Sequence, residues 1–176
     1  MNDRNDVGAI CTNWWKTTFG NDDGASRMTR ARLRRSTSPV EVLTVESVHD
    51  LNRHLRDAGH RPGPDQLALV SVVLAHVEEI GDRKLASTFG HRASRDAPRA
   101  LSSLRFQGLV RITDRVQLIT PLRRAMAIVR RTPIDITALA TDLYHWNERA
   151  QNSWCFQYFG AGDAEPETNQ TGDQDQ

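Results

Sequence analysis

The side chains able to do chemistry are few, and most are spaced for no reaction. His76-Val77-Glu78 has the H-x-E spacing of a zinc deaminase, but the P-C-x-x-C half that would supply the other ligands is absent. His49, His54 and His60 lie close along the chain, yet no acid or thiol completes a metal set, so they read as surface and boundary histidines. Glu78 and Glu79, near a helix end, read as solvated. Cys155 stands between Trp154 and Phe156, and His145 is ten residues away along the helix axis, so the thiol reads as packing rather than nucleophile. No G-x-x-x-x-G-K-[ST], G-x-S-x-G or H-E-x-x-H occurs. The expectation is a chain without catalysis, metal or cofactor.

Arginine carries more information. Of 23 basic residues only Lys16 and Lys84 are lysine; the rest are arginine, the planar multi-donor cation suited to phosphate. The formal net charge of +1 hides a strong segregation. Residues 24–35 carry +5 and residues 83–131 carry +10, whereas residues 36–82 carry −5 and residues 161–176 carry −5. Arg27, Arg30 and Arg34 recur at three and four residues, which on a helix places them in a stripe roughly 60° wide. Arg35 extends that block. Arg123 and Arg130, and Arg124 and Arg131, repeat at seven on a later helix, facing away from Leu122, Met126 and Val129. Arg92, Arg95 and Arg99 form a third cluster on a loop and helix start. Like charges held this close repel. Rows of cations with no acid between them are accounted for if a polyanion neutralises them, and such binding follows backbone charge rather than base sequence.

The elements that must position these groups read as helices. A first helix spans 9–19, and the turn Gly20-Asn21-Asp22-Asp23-Gly24 caps a second over 25–36. Ser38-Pro39-Val40-Glu41 starts a third, with Ser38 as cap, Pro39 in the first turn and Glu41 closing a capping box; it is expected to run to Ala58. Pro64 opens a helix to Ile80, apolar on most sides and therefore central to the core. Short helices are expected over 83–89 and 97–109. The segment 110–120 reads either as a hairpin across Thr113-Asp114-Arg115 or as the start of a helix; Thr120-Pro121 starts a helix through about Arg130. Asp135 caps a last helix, in which Ile136 through Tyr158 recur at steps of three and four over more than six turns. The four tryptophans fall at core positions, leaving few aromatic platforms for base stacking. The fold class is all-α. Two small packed helical bundles are expected, over 9–90 and 91–160, followed by a disordered acidic tail over 161–176 that has no aromatic and no aliphatic residue larger than alanine.

At 176 residues and a mean hydropathy of −0.57, the chain can bury a real core and has no run of the roughly 18 apolar residues that a membrane span needs. The polar N-terminus leads into no apolar segment of a secretory signal, and two distant cysteines suit a reducing cytoplasm.

Pieces of the sequence, in order, resemble the CasB family, the small subunit of the type I-E CRISPR surveillance complex Cascade. They are Trp14-Trp15, Ala31-Arg32-Leu33-Arg34-Arg35, Leu74-Ala75-His76-Val77, Leu104-Arg105-Phe106, Leu122-Arg123-Arg124-Ala125, Trp146-Asn147, Trp154 and Tyr158-Phe159-Gly160. The resemblance covers residues 10–161. It implies an all-α, non-catalytic, cytoplasmic subunit, paired head-to-tail with a second copy of itself and docked on the backbone and large subunits of Cascade. It further implies backbone contact with crRNA and target DNA, stabilising the R-loop and the displaced strand in antiviral defence. Arg34, Arg35, Arg105, Arg123 and Arg124 stand at family motif positions, and some of the arginines are expected to form structural ion pairs instead. Gly108-Leu109 and Pro121 depart from the family pattern. The competing reading is a winged-helix DNA-binding transcriptional regulator. In that reading Leu85 to Phe89 would be the positioning helix, Arg95 to Gln107 the recognition helix, and Gly108 to Ile112, Thr113-Asp114-Arg115 and Val116 to Ile119 the wing.

Overall fold

The computed structural model describes residues 3–160; the tail expected to be disordered, 161–176, lies outside the described residues. Among the described residues ten helices and one four-residue strand follow in order: α1 (Asp3–Phe19), α2 (Gly24–Arg35), α3 (Pro39–Leu43), α4 (Glu46–Asp57), α5 (Pro64–His76), β1 (Ile80–Arg83), α6 (Leu85–Gly90), α7 (Ser103–Val110), α8 (Arg115–Ile128), α9 (Ile136–Tyr144) and α10 (Glu148–Gly160). The all-α class read from the sequence is the observed one. Local chemistry sets several starts. Asp23 accepts from the Ser26 amide at the head of α2. Ser38 caps α3 with Pro39 in its first turn, while Glu41 reaches back to the Thr37 amide.

The core grows around α5, whose residues Leu67 through Ala75 are all buried. It packs against α2, α3, α8 and α9, while α1 lies on α9 and α6 on α10. Helices from both sides of residue 90 thus contribute to one hydrophobic cluster. All four tryptophans are buried, and their indole N–H groups find acceptors: Trp14 donates to the Ser47 carbonyl at 2.7 Å, Trp15 to the Leu74 carbonyl at 3.0 Å, Trp146 to the Ile112 carbonyl at 2.8 Å and Trp154 to the Asp142 carboxylate at 2.9 Å. Gly90 is a close-approach position, because a Cβ there would lie 2.0 Å from the Tyr158 carbonyl oxygen. Only glycine lets α6 seat this tightly on α10.

Tertiary packing revises several expected boundaries. The helix expected from Pro39 to Ala58 breaks at Thr44–Val45, where the Thr44 hydroxyl donates to the Glu41 carbonyl. The helix expected to reach Ile80 ends at His76, and β1 then runs beside Ile134, whose amide donates to the Glu79 carbonyl. Residues 91–102 are not helical; Arg92 and Arg99 form an isolated antiparallel bridge, and α7 begins only after its Ser102 cap. The segment 110–120 resolves as helix, because Asp114 accepts from the Gln117 amide and starts α8 six residues before Pro121. Pro121 therefore sits inside α8 rather than near its first turn, at the cost of one i→i−4 bond. The long last helix is two. Asn147 accepts from the Ala150 amide and restarts the chain as α10, so the apolar periodicity continues through a break in the helix.

Candidate nucleic-acid interface

Three elements carry the basic groups to one place: the C-terminal half of α2, the C-terminus of α5 and the middle of α8. The carbonyls at a helix C-terminus lack intrahelical partners and carry partial negative charge, which cations satisfy. Arginines do this twice here. Arg30 donates to the Val77 carbonyl at 2.6 Å, and its guanidinium lies 4.7 Å from the Phe19 ring centroid and 5.5 Å from that of Trp15. Arg34 donates from Nε to the Ala75 carbonyl at 2.8 Å. These two close the end of α5. Arg123 in turn donates to the Arg34 and Arg35 carbonyls at 3.2 and 3.4 Å, closing the end of α2. The last turns of α2 and α5 and one face of α8 are thereby fixed to one another.

An open groove forms at that junction, lined by Arg34, Arg35, His76, Arg123, Arg124 and Ala127. It unites the two basic blocks, which stand far apart in the sequence. Arg35 and Arg124 are exposed on its walls, whereas Arg34 and Arg123 are partly buried and anchored. At its edge the Glu78 carboxylate accepts from Arg130 at 2.5 Å and from Arg34 at 3.4 Å. The bond from Arg130 holds the Glu78 pKa below the usual carboxylate range. Burial lowers the pKa of both Arg30 and Arg34, yet a guanidinium keeps its charge at any ordinary pH.

The remaining candidates fall elsewhere. Arg27 pairs with Asp22 at 2.9 Å on an exposed surface. Arg92 donates to the Arg95 carbonyl at 3.2 Å, and Arg95, Arg105 and Arg131 are exposed. Arg99 donates to the Gly90 and Tyr158 carbonyls, both at 2.8 Å, and faces the Tyr158 ring at 5.0 Å. It clamps the ends of α6 and α10. None of these lines the groove. The sequence-level view that the rows have no acid nearby needs correction, since Glu78 and Asp22 supply carboxylates. Glu78, expected to be solvated, bridges two cations instead.

His76 is the groove residue that sequence reasoning assigned no role. It is the last residue of α5, a boundary hidden from a sequence reading that carried the helix on to Ile80. Nδ1 lies 2.9 Å from the Val72 carbonyl, which fixes the proton there and leaves Nε2 as the basic nitrogen. Burial depresses the His76 pKa, and the charges of Arg34, Arg123 and Arg130 depress it further, against the opposing Val72 carbonyl. A histidine whose folded-state pKa lies below its unfolded value contributes stability above the unfolded pKa, lost as pH falls through the folded one. Folding stability should therefore decline as pH drops below about 6.5. Replacing His76 by glutamine should flatten the profile between about pH 7 and pH 5, measured by urea unfolding. The carboxylate Glu78 contributes in the same sense only at more acidic pH, below its ordinary range.

Fold and site together define an all-helical protein with an arginine-lined surface groove. Residues 29–159 match the sequence model of the CRISPR-associated protein Cse2 family, and the chain belongs to that family. Among curated protein sequences none matches the chain. The crystal structure of CasB from Thermus thermophilus is similar at a TM-score of 0.62 and 24% identity, over 87% of this chain and 97% of that one. A chain in the E. coli Cascade structure bound to a PAM-containing double-stranded DNA target is similar at a TM-score of 0.60 and 17% identity, over 86% of this chain and 97% of that one. At these identities the two likenesses establish the fold. The family agrees with the resemblance read from the sequence.

Proposed function

We propose that this chain is the non-catalytic small subunit of a type I-E CRISPR Cascade complex, and that its arginine groove grips nucleic-acid backbone. The observation that carries this reading is the meeting of Arg34, Arg35, Arg123 and Arg124 in one groove of a Cse2-family fold. Its likeness to a chain of a DNA-bound Cascade supports the assembly. Exchange of a DNA duplex for an RNA–DNA hybrid is nearly balanced, so a few phosphate contacts tip it toward the R-loop. Guanidiniums anchored on helix ends provide such contacts without reading bases. The partners in this reading are crRNA, target DNA and its displaced strand, the backbone and large subunits of Cascade, and a second copy of this chain placed head-to-tail.

The winged-helix alternative finds no support. Its wing would need a hairpin where residues 115–119 are helical, and its recognition helix would cross residues 95–102, which are not. The test is binding of the full chain to labelled single strands, DNA duplexes and RNA–DNA hybrids of unrelated sequence. Affinities should be similar across sequences, and log K should fall with log salt at a slope near −3 to −4 for about four phosphate contacts. A footprint at one palindromic site, or binding indifferent to salt, would overturn the reading. Expressed with its neighbouring Cascade subunits, the tagged chain should bring down an RNA-bearing complex.

A further inference from the structure

Glu78 occupies an unusual seat. Its Oε1 accepts from two guanidiniums that lie 44 residues before it and 52 after it, Arg34 on α2 and Arg130 beyond α8. Two arginines converging on one anionic oxygen is also how proteins hold a phosphate. The two are not equally committed. Arg34 is anchored by its Nε bond to the Ala75 carbonyl and is 24% exposed, so it stays in place whichever anion it faces. Arg130 is 62% exposed and reaches out to Glu78 alone among the described residues. The carboxylate itself belongs to the short link between α5 and β1 and is 34% exposed, so it can leave without unwinding a helix. Five guanidiniums (Arg34, Arg35, Arg123, Arg124 and Arg130) surround the groove and its edge, and among the described residues Glu78 is the carboxylate that pairs with any of them. A solvent-accessible pair of this kind is worth little to the fold.

We propose that the seat between Arg34 and Arg130 is a phosphodiester subsite, filled by the Glu78 carboxylate in the free protein and by a nucleic-acid backbone phosphate in the bound one. The proposal rests on the groove being a nucleic-acid surface and adds an internal competitor to it. On binding, the phosphate takes both guanidiniums, and Glu78 turns to solvent and regains its hydration. The displaced carboxylate recruits a cation, which offsets part of the counterion release from the nucleic acid.

The test is fluorescence anisotropy of the full chain with a labelled RNA–DNA hybrid of arbitrary sequence. Glu78→Gln should bind about three- to tenfold tighter than the unmodified chain, the gain expected when one exposed ion-pair cluster no longer competes. The slope of log K against log salt should steepen by up to about one. Glu79→Gln makes the same change in net charge on the adjacent residue, which has no ion pair among the described residues, and should stay within about twofold of the unmodified chain. Adding Arg130→Gln to Glu78→Gln should remove the gain. Inorganic phosphate at matched ionic strength should leave the affinity unchanged; competition from it would make this a free-phosphate site and overturn the proposal. Glu78→Gln binding no better than Glu79→Gln would show that the carboxylate does not compete for the seat and would also overturn it. Absence of salt-dependent binding by the unmodified chain would instead sink the broader reading of the groove.

Discussion

Reversing Arg35 and Arg124 to glutamate together should weaken binding of an RNA–DNA hybrid by about a hundredfold at moderate salt, with the melting temperature unchanged. Both side chains are exposed on the groove walls, and neither donates a hydrogen bond to a carbonyl or carboxylate among the described residues. Removing them leaves no buried acceptor unsatisfied, so the fold loses nothing. The nucleic acid loses two cationic contacts and meets two like charges. A titration by fluorescence anisotropy, with circular dichroism melts of the same samples, checks both halves. Unchanged affinity would detach the groove from nucleic acid. From sequence alone the natural pair to reverse would be Arg34 and Arg35, on the expectation that both project freely. The structure separates them. Arg34 closes the end of α5 through the Ala75 carbonyl, so a glutamate there would orphan that carbonyl and face Glu78 as a like charge. A loss of binding in an Arg34 variant would therefore mix fold with function.

Replacing Arg99 by alanine should produce the opposite pattern: a loss of about 2–4 kcal/mol of stability, with groove affinity within about twofold of the unmodified chain. Arg99 satisfies the Gly90 and Tyr158 carbonyls at 2.8 Å each and covers the Tyr158 and Phe159 rings at 5.0 and 5.6 Å. Its removal uncaps α6 and α10 where they are most closely packed, beside Gly90. Arg99→Lys should recover only part of the loss, because an ammonium can replace Nη1 at the two carbonyls but has neither the Nη2 donor to the Phe159 carbonyl nor the flat face that covers the two rings. Urea unfolding of the three proteins measures the effect. Stability equal in all three would show the clamp to be incidental. Of the arginines grouped from the sequence as contacts, Arg99 thus has the most structural duty, together with Arg30.

Much of the fold was legible because its signals are local. Asp23, Ser38 and Asp135 cap helices through their own side chains, and the apolar run from Leu67 to Ala75 behind Pro64 reads as a buried helix. Where boundaries were misread, periodicity continued through a break in the helix. The apolar steps from Ile136 to Tyr158 pass over the Asn147 cap because α9 and α10 bury the same kind of face. Residues 91–102 read as partly helical, although their arginines spend hydrogen bonds on loop and helix-end carbonyls instead. The exposed aromatic Phe156, 81% accessible on α10, also escaped a reading in which aromatics belonged to the core.

The sequence by itself determined the helical class, the starts of α2, α3, α5 and α9, the burial of the tryptophans and the division of charge into two arginine-rich blocks. Each follows from interactions within a few residues or from the partition of apolar surface away from water. Only the tertiary structure decided which arginines remain available. A guanidinium has five donors and takes any carbonyl or carboxylate within reach. Whether Arg30, Arg34, Arg99 and Arg123 face solvent or close a helix end therefore depends on which helix terminus the packing brings beside them. The placement of Glu78 between Arg34 and Arg130 is of the same kind, since no local pattern specifies a contact between residues separated by 44 and 52 positions.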